Sequence, residues 1–241
     1  MNLTIDIGNS SVKAGVFNHE KLLEIFRFDD LNKNHLEIIK NKYPIKKTII
    51  SSVQKNNPDI SKLIQSLFKI VMTLDADTSL PVKNQYKTPE TLGKDRLAAV
   101  VGGKELFPDS HVLIFDVGTA ITIDFITKDK IYQGGNISPG LKMRYQALHD
   151  YTENLPHLEP NDKSGLIGES TNEAIISGVQ NGIIFELNQY IKEFEKKYKK
   201  IKTIITGGDA NFFDNKLNYR IFVDQNLVLT GLNEILKFNY T

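Results

Sequence analysis

The sequence predicts an α/β protein made of two similar halves, on two observations. A strand-turn-strand pattern occurs twice, and each occurrence opens a run of alternating strand and helix patterns. Residues 3–17 carry the first copy: apolar up to Asp6, Ile7 and Gly8, polar at Asn9, Ser10 and Ser11, and apolar again from Val12 past Lys13. Residues 112–126 carry the second, with Asp116, Val117, Gly118 and Thr119 at its turn. An Asp-x-Gly turn closes many hairpins for reasons of backbone geometry alone, so one copy has little weight. Duplication suggests two similar domains, residues 1–109 and 110–241.

Each element follows from local pattern. At the first turn Gly8 is expected to take positive φ and admit backbone N–H groups to a phosphate, with neutral donors from Asn9 to Ser11 and a hydrated divalent cation on Asp6. A third strand covers residues 22–28, and Leu31, Leu36, Ile38 and Ile39 give a helical stripe. Residues 47–53 read as a short buried strand, and Pro58 opens a helix with Ile60, Leu63, Ile64, Leu67 and Phe68 on one face. Residues 70–74 form another strand. The polar, aperiodic stretch 75–93 is long for a loop, which marks either a functional segment or a mobile excursion. A helix then runs from Gly93, Lys94, Asp95 and Arg96 to about Phe107.

The second hairpin leads into a strand at 131–133, a glycine-rich turn at 134–140, a helix to about Asp150 and a polar loop to Glu169. Ser170 and Glu173 have capping-box spacing, and the helix they start aligns Ile175, Val179, Ile183, Leu187 and Ile191. Gly178 and Gly182 lie on that helix and allow another helix to approach. A buried strand at 202–206 ends in Gly207, Gly208 and Asp209, and a helix from about Asn226 to Phe238 closes the chain.

Composition narrows the function class. With 30 Lys plus Arg against 29 Asp plus Glu in 241 residues, no global field points to nucleic acid or an anionic membrane. Cysteine is absent, which excludes disulfides, thiolate chemistry and Cys-ligated metals and fits a reducing compartment. No signal segment opens the sequence and no apolar run nears the ~20 residues of a membrane span. A cytoplasmic enzyme or binding protein is expected, without nucleic-acid or membrane partners.

Two such hairpins and a strand ending in Gly-Gly-Asp resemble the elements with which the actin, heat-shock chaperone and sugar kinase superfamily holds ATP. The resemblance implies two ribonuclease-H-like (actin-like ATPase) domains with the nucleotide in the cleft between them. Gly93, Lys94, Asp95 and Arg96 resemble, more narrowly, the Gly-x-Asp-Arg motif of type III pantothenate kinases. Residues 115–120, 134–141, 167–168, 170–171 and 205–210 follow that family's pattern in order, with departures at Asn136 and Glu169.

What the resemblance implies is transfer of the γ-phosphoryl of ATP to the primary hydroxyl of pantothenate, the first step of coenzyme A synthesis, by a homodimer. Asp95 would be the general base and Arg96 would bind the pantothenate carboxylate, with Gly93, Lys94, Tyr86, Thr171 and Val53 lining the substrate. The ATP contacts would be Asp6, Ile7, Gly8, Asn9, Ser10, Ser11, Val12, Lys13 and Thr119 at the phosphates, and Gly207 and Gly208 at adenosine. Asp116 would ligate a monovalent cation, potassium or ammonium, and Asp6 would lie near magnesium. From residue type alone Asp95 also suits a helix N-cap, Asp116 a turn, Thr171 a cap and Val53 a core position. Two other functions suit the same superfamily pattern: a sugar-type kinase, and a non-enzymatic nucleotide-binding regulatory protein. An acid beside Arg96 favours an enzyme, since a switch needs no acceptor-binding acid.

Overall fold

A computed structural model describes residues 1–52, 58–162 and 165–240. The strand at 47–53 is described to Ser52, and Val53 lies outside the described residues. In chain order the first elements are β1 (Asn2–Ile7), β2 (Val12–Asn18), β3 (Lys21–Phe28), α1 (Lys33–Lys42), β4 (Lys47–Ser52), α2 (Pro58–Leu67), β5 (Val71–Thr73), β6 (Lys83–Asn84) and α3 (Lys94–Leu106). The later ones are β7 (His111–Val117), β8 (Ala120–Ile126), β9 (Ile131–Pro139), α4 (Leu141–Asp150), α5 (Thr171–Lys197), β10 (Ile201–Thr206), α6 (Ala210–Phe213), β11 (Phe222–Val223) and α7 (Leu227–Asn239).

The chain divides into two compact units. The first comprises Met1–Pro108, Asp129–Gln133 and Asn226–Thr241, the second Asp109–Lys128 and Gly134–Gln225. Helix α7 groups with the first unit. Glycines explain why. A Cβ at Gly231 of α7 would lie 1.8 Å from the Ala98 carbonyl oxygen of α3, and one at Gly102 of α3 would lie 2.4 Å from that of Leu227. The two helices therefore touch backbone to backbone, which only glycine permits.

In the first unit the sheet order is β3-β2-β1-β4-β5, with β1 antiparallel to β2 and parallel to β4. Leu3, Ile5 and Ile7 pack with Leu36 and Ile39 of α1, Ile64 of α2 and Phe68 just beyond it. Strand periodicity then turns Thr4 and Asp6 to the other face, where Gly15 meets Leu229 of α7. Asn32 caps α1, its side chain accepting from the His35 N–H at 3.1 Å. The polar stretch 75–93 is anchored: Lys83 and Asn84 pair with Ile131 and Tyr132, and the Asn239 amide donates to the Ser79 carbonyl at 2.9 Å.

In the second unit β7 pairs antiparallel with β8 and parallel with β10, which pairs with β11. Phe115, Val117, Ile123 and Phe125 form a core with Tyr145 of α4 and Ile183, Leu187 and Ile191 of α5. The expected capping box opens α5, with a shift: Ser170 accepts from the Glu173 N–H at 3.3 Å, while Glu173 accepts from the N–H of Glu169, one residue further back. No helix among the described residues is long and apolar enough to cross a membrane.

Because the α3 and α7 backbones have no room to separate locally, Gly231→Ala is expected to destabilise the protein by about 3 kcal/mol or more, at the upper end of overpacking costs. Urea denaturation checks this, and an unchanged midpoint would contradict the contact.

Candidate active site

In the first unit, the hairpin between β1 and β2 closes with the Gly8 N–H donating to the Ser11 carbonyl at 3.0 Å. Positive φ among the described glycines occurs at Gly134 and Gly207, so Gly8 does not use the left-handed conformation expected of it. Its contribution is space, since a Cβ there would come within 3.1 Å of the Ser11 carbonyl. Asn9, Ser10 and Ser11 are exposed at the tip, while the Ile7 and Val12 side chains are buried and leave only backbone for a ligand. Asp6 lies opposite Lys13 on β2 and Ser51 on β4. Among the described residues the Ser51 hydroxyl is buried without a hydrogen-bond partner, and its place opposite Asp6 on the neighbouring strand makes it a candidate oxygen donor.

The same unit assembles Tyr86, Gly93, Lys94, Asp95 and Arg96. Gly93 is the N-cap of α3 and makes no side-chain cap bond. Asp95 therefore sits one turn position inside the helix rather than at the cap, and its Oδ1 accepts from the Arg96 N–H at 2.8 Å. Gly93 leaves room for that carboxylate: a Cβ would lie 2.5 Å from Asp95 Oδ1. The neighbouring Arg96 is only 5% exposed, and its guanidinium carbon stands 5.6 Å from the centre of the Tyr86 ring. Tyr86 in turn stacks on the buried Tyr132 at 6.2 Å. Arg96 is thus a buried arginine whose guanidinium lies within cation–π reach of Tyr86.

The second unit brings Asp116, Gly118, Thr119, Gly207, Gly208 and Asp209 to one set of strand ends. Gly207 has φ +97°, and a Cβ there would lie 2.5 Å from Asp116 Oδ1 and 2.4 Å from the Val117 carbonyl oxygen. A side chain at Gly208 would meet nothing within 4 Å, so its face is open. The Asp209 N–H donates to the Val117 carbonyl at 2.9 Å, joining this loop to the base of the hairpin. Thr119 is exposed at the tip, and beside it opens a cavity of about 480 Å³ whose walls include Lys142, Gln146, His157 and Glu159. Burial, helped by the charge of Glu159, pushes the Tyr145 phenol in that wall up to about 12 and keeps it a neutral donor to Gln180. Thr171 is exposed at the first position of α5 and is not the cap, which is Ser170.

These residues fit phosphates and hard cations. Glycines stand where side chains would block an approaching nucleotide, exposed hydroxyls and amides tip one hairpin, and Asp6 and Asp116 supply oxygen donors. Asp209 is a candidate missing from the sequence-based site, although the Gly-Gly-Asp string marked it. Burial raises its carboxyl above the ordinary range, with Lys142 pulling the other way. An acid whose folded-state value is raised favours folding in its protonated form, and that contribution is lost as pH rises through the raised value. Asp209→Asn, which mimics the neutral acid, is therefore expected to raise the Tm by a few degrees at pH 7, with the gain closing as pH falls into the ordinary carboxylate range. Thermal unfolding across pH checks it, and no difference at pH 7 would contradict it.

Comparison with known proteins places this geometry. The family model of type III pantothenate kinase matches residues 2–193. A type III pantothenate kinase of Phocaeicola vulgatus is 44% identical over 239 residues, covering 99% of each chain. Among solved structures, a conserved Baf family chain from Campylobacter jejuni matches with TM-score 0.63 at 25% identity over 98% of each chain. The inorganic polyphosphate/ATP-glucomannokinase of Arthrobacter sp. strain KM matches at TM-score 0.51 and 15% identity, over 99% of this chain and 98% of that one, a likeness of fold alone. The fold is shared with a sugar kinase of solved structure, and the chain belongs to the type III pantothenate kinase family.

Proposed function

We propose that this protein phosphorylates pantothenate with ATP, and that the observation carrying the reading is the group formed by Tyr86, Asp95 and Arg96 at the start of α3. Asp95 orients the primary hydroxyl and takes its proton as the phosphorus–oxygen bond forms. Its place over Gly93, with the Arg96 N–H donating to Oδ1, restricts the carboxylate and so supports that role. Arg96 grips the pantothenate carboxylate with two parallel bonds, which a fork already oriented by Tyr86 makes without searching rotamers. Gly93 and Lys94 offer backbone to the same substrate, and Tyr86 and Thr171 offer hydroxyls.

For the nucleotide, residues 6–13 and Thr119 receive the phosphates and Gly207 and Gly208 lie against adenosine. Asp6 holds magnesium, with the Ser51 hydroxyl beside it, and Asp116 holds potassium or ammonium. Bound magnesium would supply charge neutralisation at the transferring phosphoryl group. The protein's own contribution is to exclude side chains from the approach and to fix the acceptor hydroxyl.

Self-association is part of the proposal. Phe185 is 58% exposed, Ile137 66% and Met143 44%, and a Cβ at Gly178 would meet nothing within 4 Å. Gly178 and Phe185 share a face of α5 by helical spacing, while Ile137 and Met143 neighbour Ser138 and Arg144, which bond each other. A homodimer formed through this face predicts that Phe185→Glu yields monomers in sedimentation velocity. A wild-type monomer would remove the idea.

The central test is a panel of acceptors offered with ATP, magnesium and potassium. Pantothenate is expected to be the phosphorylated product's parent, and exchanging potassium for lithium at fixed ionic strength is expected to slow the reaction. Asp95→Asn keeps the shape and the acceptor for the Arg96 N–H, so kcat should fall by ~10²–10⁴ while calorimetric pantothenate binding holds to within a few-fold. Near wild-type turnover would remove Asp95 from the chemistry, and phosphorylation of a sugar instead would overturn the substrate.

A further inference from the structure

The Arg144 guanidinium of α4 reaches both ways along the second unit. Its Nε donates to the Pro139 carbonyl at 2.9 Å, and Nη2 donates to the Ser138 hydroxyl at 2.8 Å and to Glu186 of α5. Both charged side chains are 22% exposed, so the pair is largely shielded from solvent. Gly182 lies one turn before Glu186, and a Cβ there would stand 3.6 Å from Arg144 Nη1. The small residue leaves the lane in which the guanidinium lies.

What the fork holds is the segment that supports the second hairpin. Immediately after Pro139, the Gly140 N–H donates to the Thr119 carbonyl at 3.1 Å. A Cβ at Gly140 would lie 2.1 Å from the Gly118 carbonyl oxygen and 2.4 Å from that of Thr119, so the two backbones are in direct contact. Displacement of Ser138, Pro139 or Gly140 is therefore passed straight to the hairpin tip. No softer side chain intervenes.

We propose that Arg144 and Glu186 are positioning residues for nucleotide binding: together they clamp the 138–140 segment against Gly118 and Thr119 and so set the hairpin that receives the phosphates of ATP. The inference rests on the function proposed above, in which that hairpin is a phosphate contact. Arg144 itself touches no reacting atom. A lysine cannot replace it, because one ammonium cannot bond the Pro139 carbonyl, the Ser138 hydroxyl and Glu186 in the fixed plane that a guanidinium offers.

The test compares wild type with Arg144→Lys, Glu186→Gln and the double variant. Calorimetric Kd is measured for a non-hydrolysable ATP analogue with magnesium, without acceptor, and KM is measured for ATP and for pantothenate. Arg144→Lys is expected to weaken analogue binding and raise the ATP KM about tenfold, with the pantothenate KM within about twofold. The double variant should be no worse than Arg144→Lys alone, because one clamp is lost once. Free guanidinium at millimolar level should restore part of the loss in Arg144→Ala. If analogue Kd stays within twofold of wild type in the folded Arg144→Lys protein, or if both substrates' KM values rise together, the positioning role is overturned. Weakened analogue binding in a protein whose wild type fails to phosphorylate pantothenate would overturn the acceptor assignment and leave the clamp standing.

Discussion

Everything in the acceptor group depends on where α3 sits, and α3 sits where two glycines let it. Contact between the Ala98 carbonyl and Gly231, and between Gly102 and the Leu227 carbonyl, sets the distance between α3 and α7 by backbone atoms, which do not change rotamer. That seating explains why every residue from Arg96 to Lys104 is buried, including two cations. A helix so enclosed has its first turn fixed in height as well as direction. Asp95 and Arg96 inherit that precision, and Tyr86 adds a planar surface that orients the guanidinium. Side chains at the start of a packed helix are held more tightly than the same residues on a loop.

The second unit reaches the same end by different means. Helices α4 and α5 cover the buried face of its strands, and its tip is backed by neighbouring main chain, with Gly140 behind Gly118 and Thr119 and Gly207 beneath Asp116 and Val117. Two glycine-bearing segments thus leave the hairpin no room to retreat. Gly207 also needs its left-handed φ, so at that position conformation and space act together. The duplicated pattern in the chain has therefore been stabilised twice by unlike surroundings, packed helices in one unit and abutting turns at the tip in the other.

Local signals in the sequence were read correctly where the governing interaction is itself local. The two hairpins, the cap at Ser170, the start of α3 and the strand leading to Gly207 all follow from neighbours within a few positions. Interactions between distant segments were not legible. The association of α7 with the first unit depends on glycines more than a hundred residues apart, and nothing near either one announces its partner. Gly8 was assigned a conformation when its use is steric, because residue type alone does not separate the two. A raised carboxyl pKa such as that of Asp209 comes from tertiary burial and leaves no trace in composition. The three acceptors of Arg144 lie on two different elements, so nothing in the local sequence marks that residue.

The anchoring of the 75–93 stretch bears on how a substrate is met. Had that stretch been a free flap, each encounter would require ordering many backbone torsions, at roughly 1–2 kcal/mol per residue of entropy. Here the pairing of Lys83 and Asn84, the Asn239 bond to Ser79 and the stack of Tyr86 on Tyr132 order it during folding. The entropic cost falls on stability, once, and not on each catalytic cycle. Under the proposed function, recognition at Tyr86 is docking on a surface ordered during folding rather than closure of a lid.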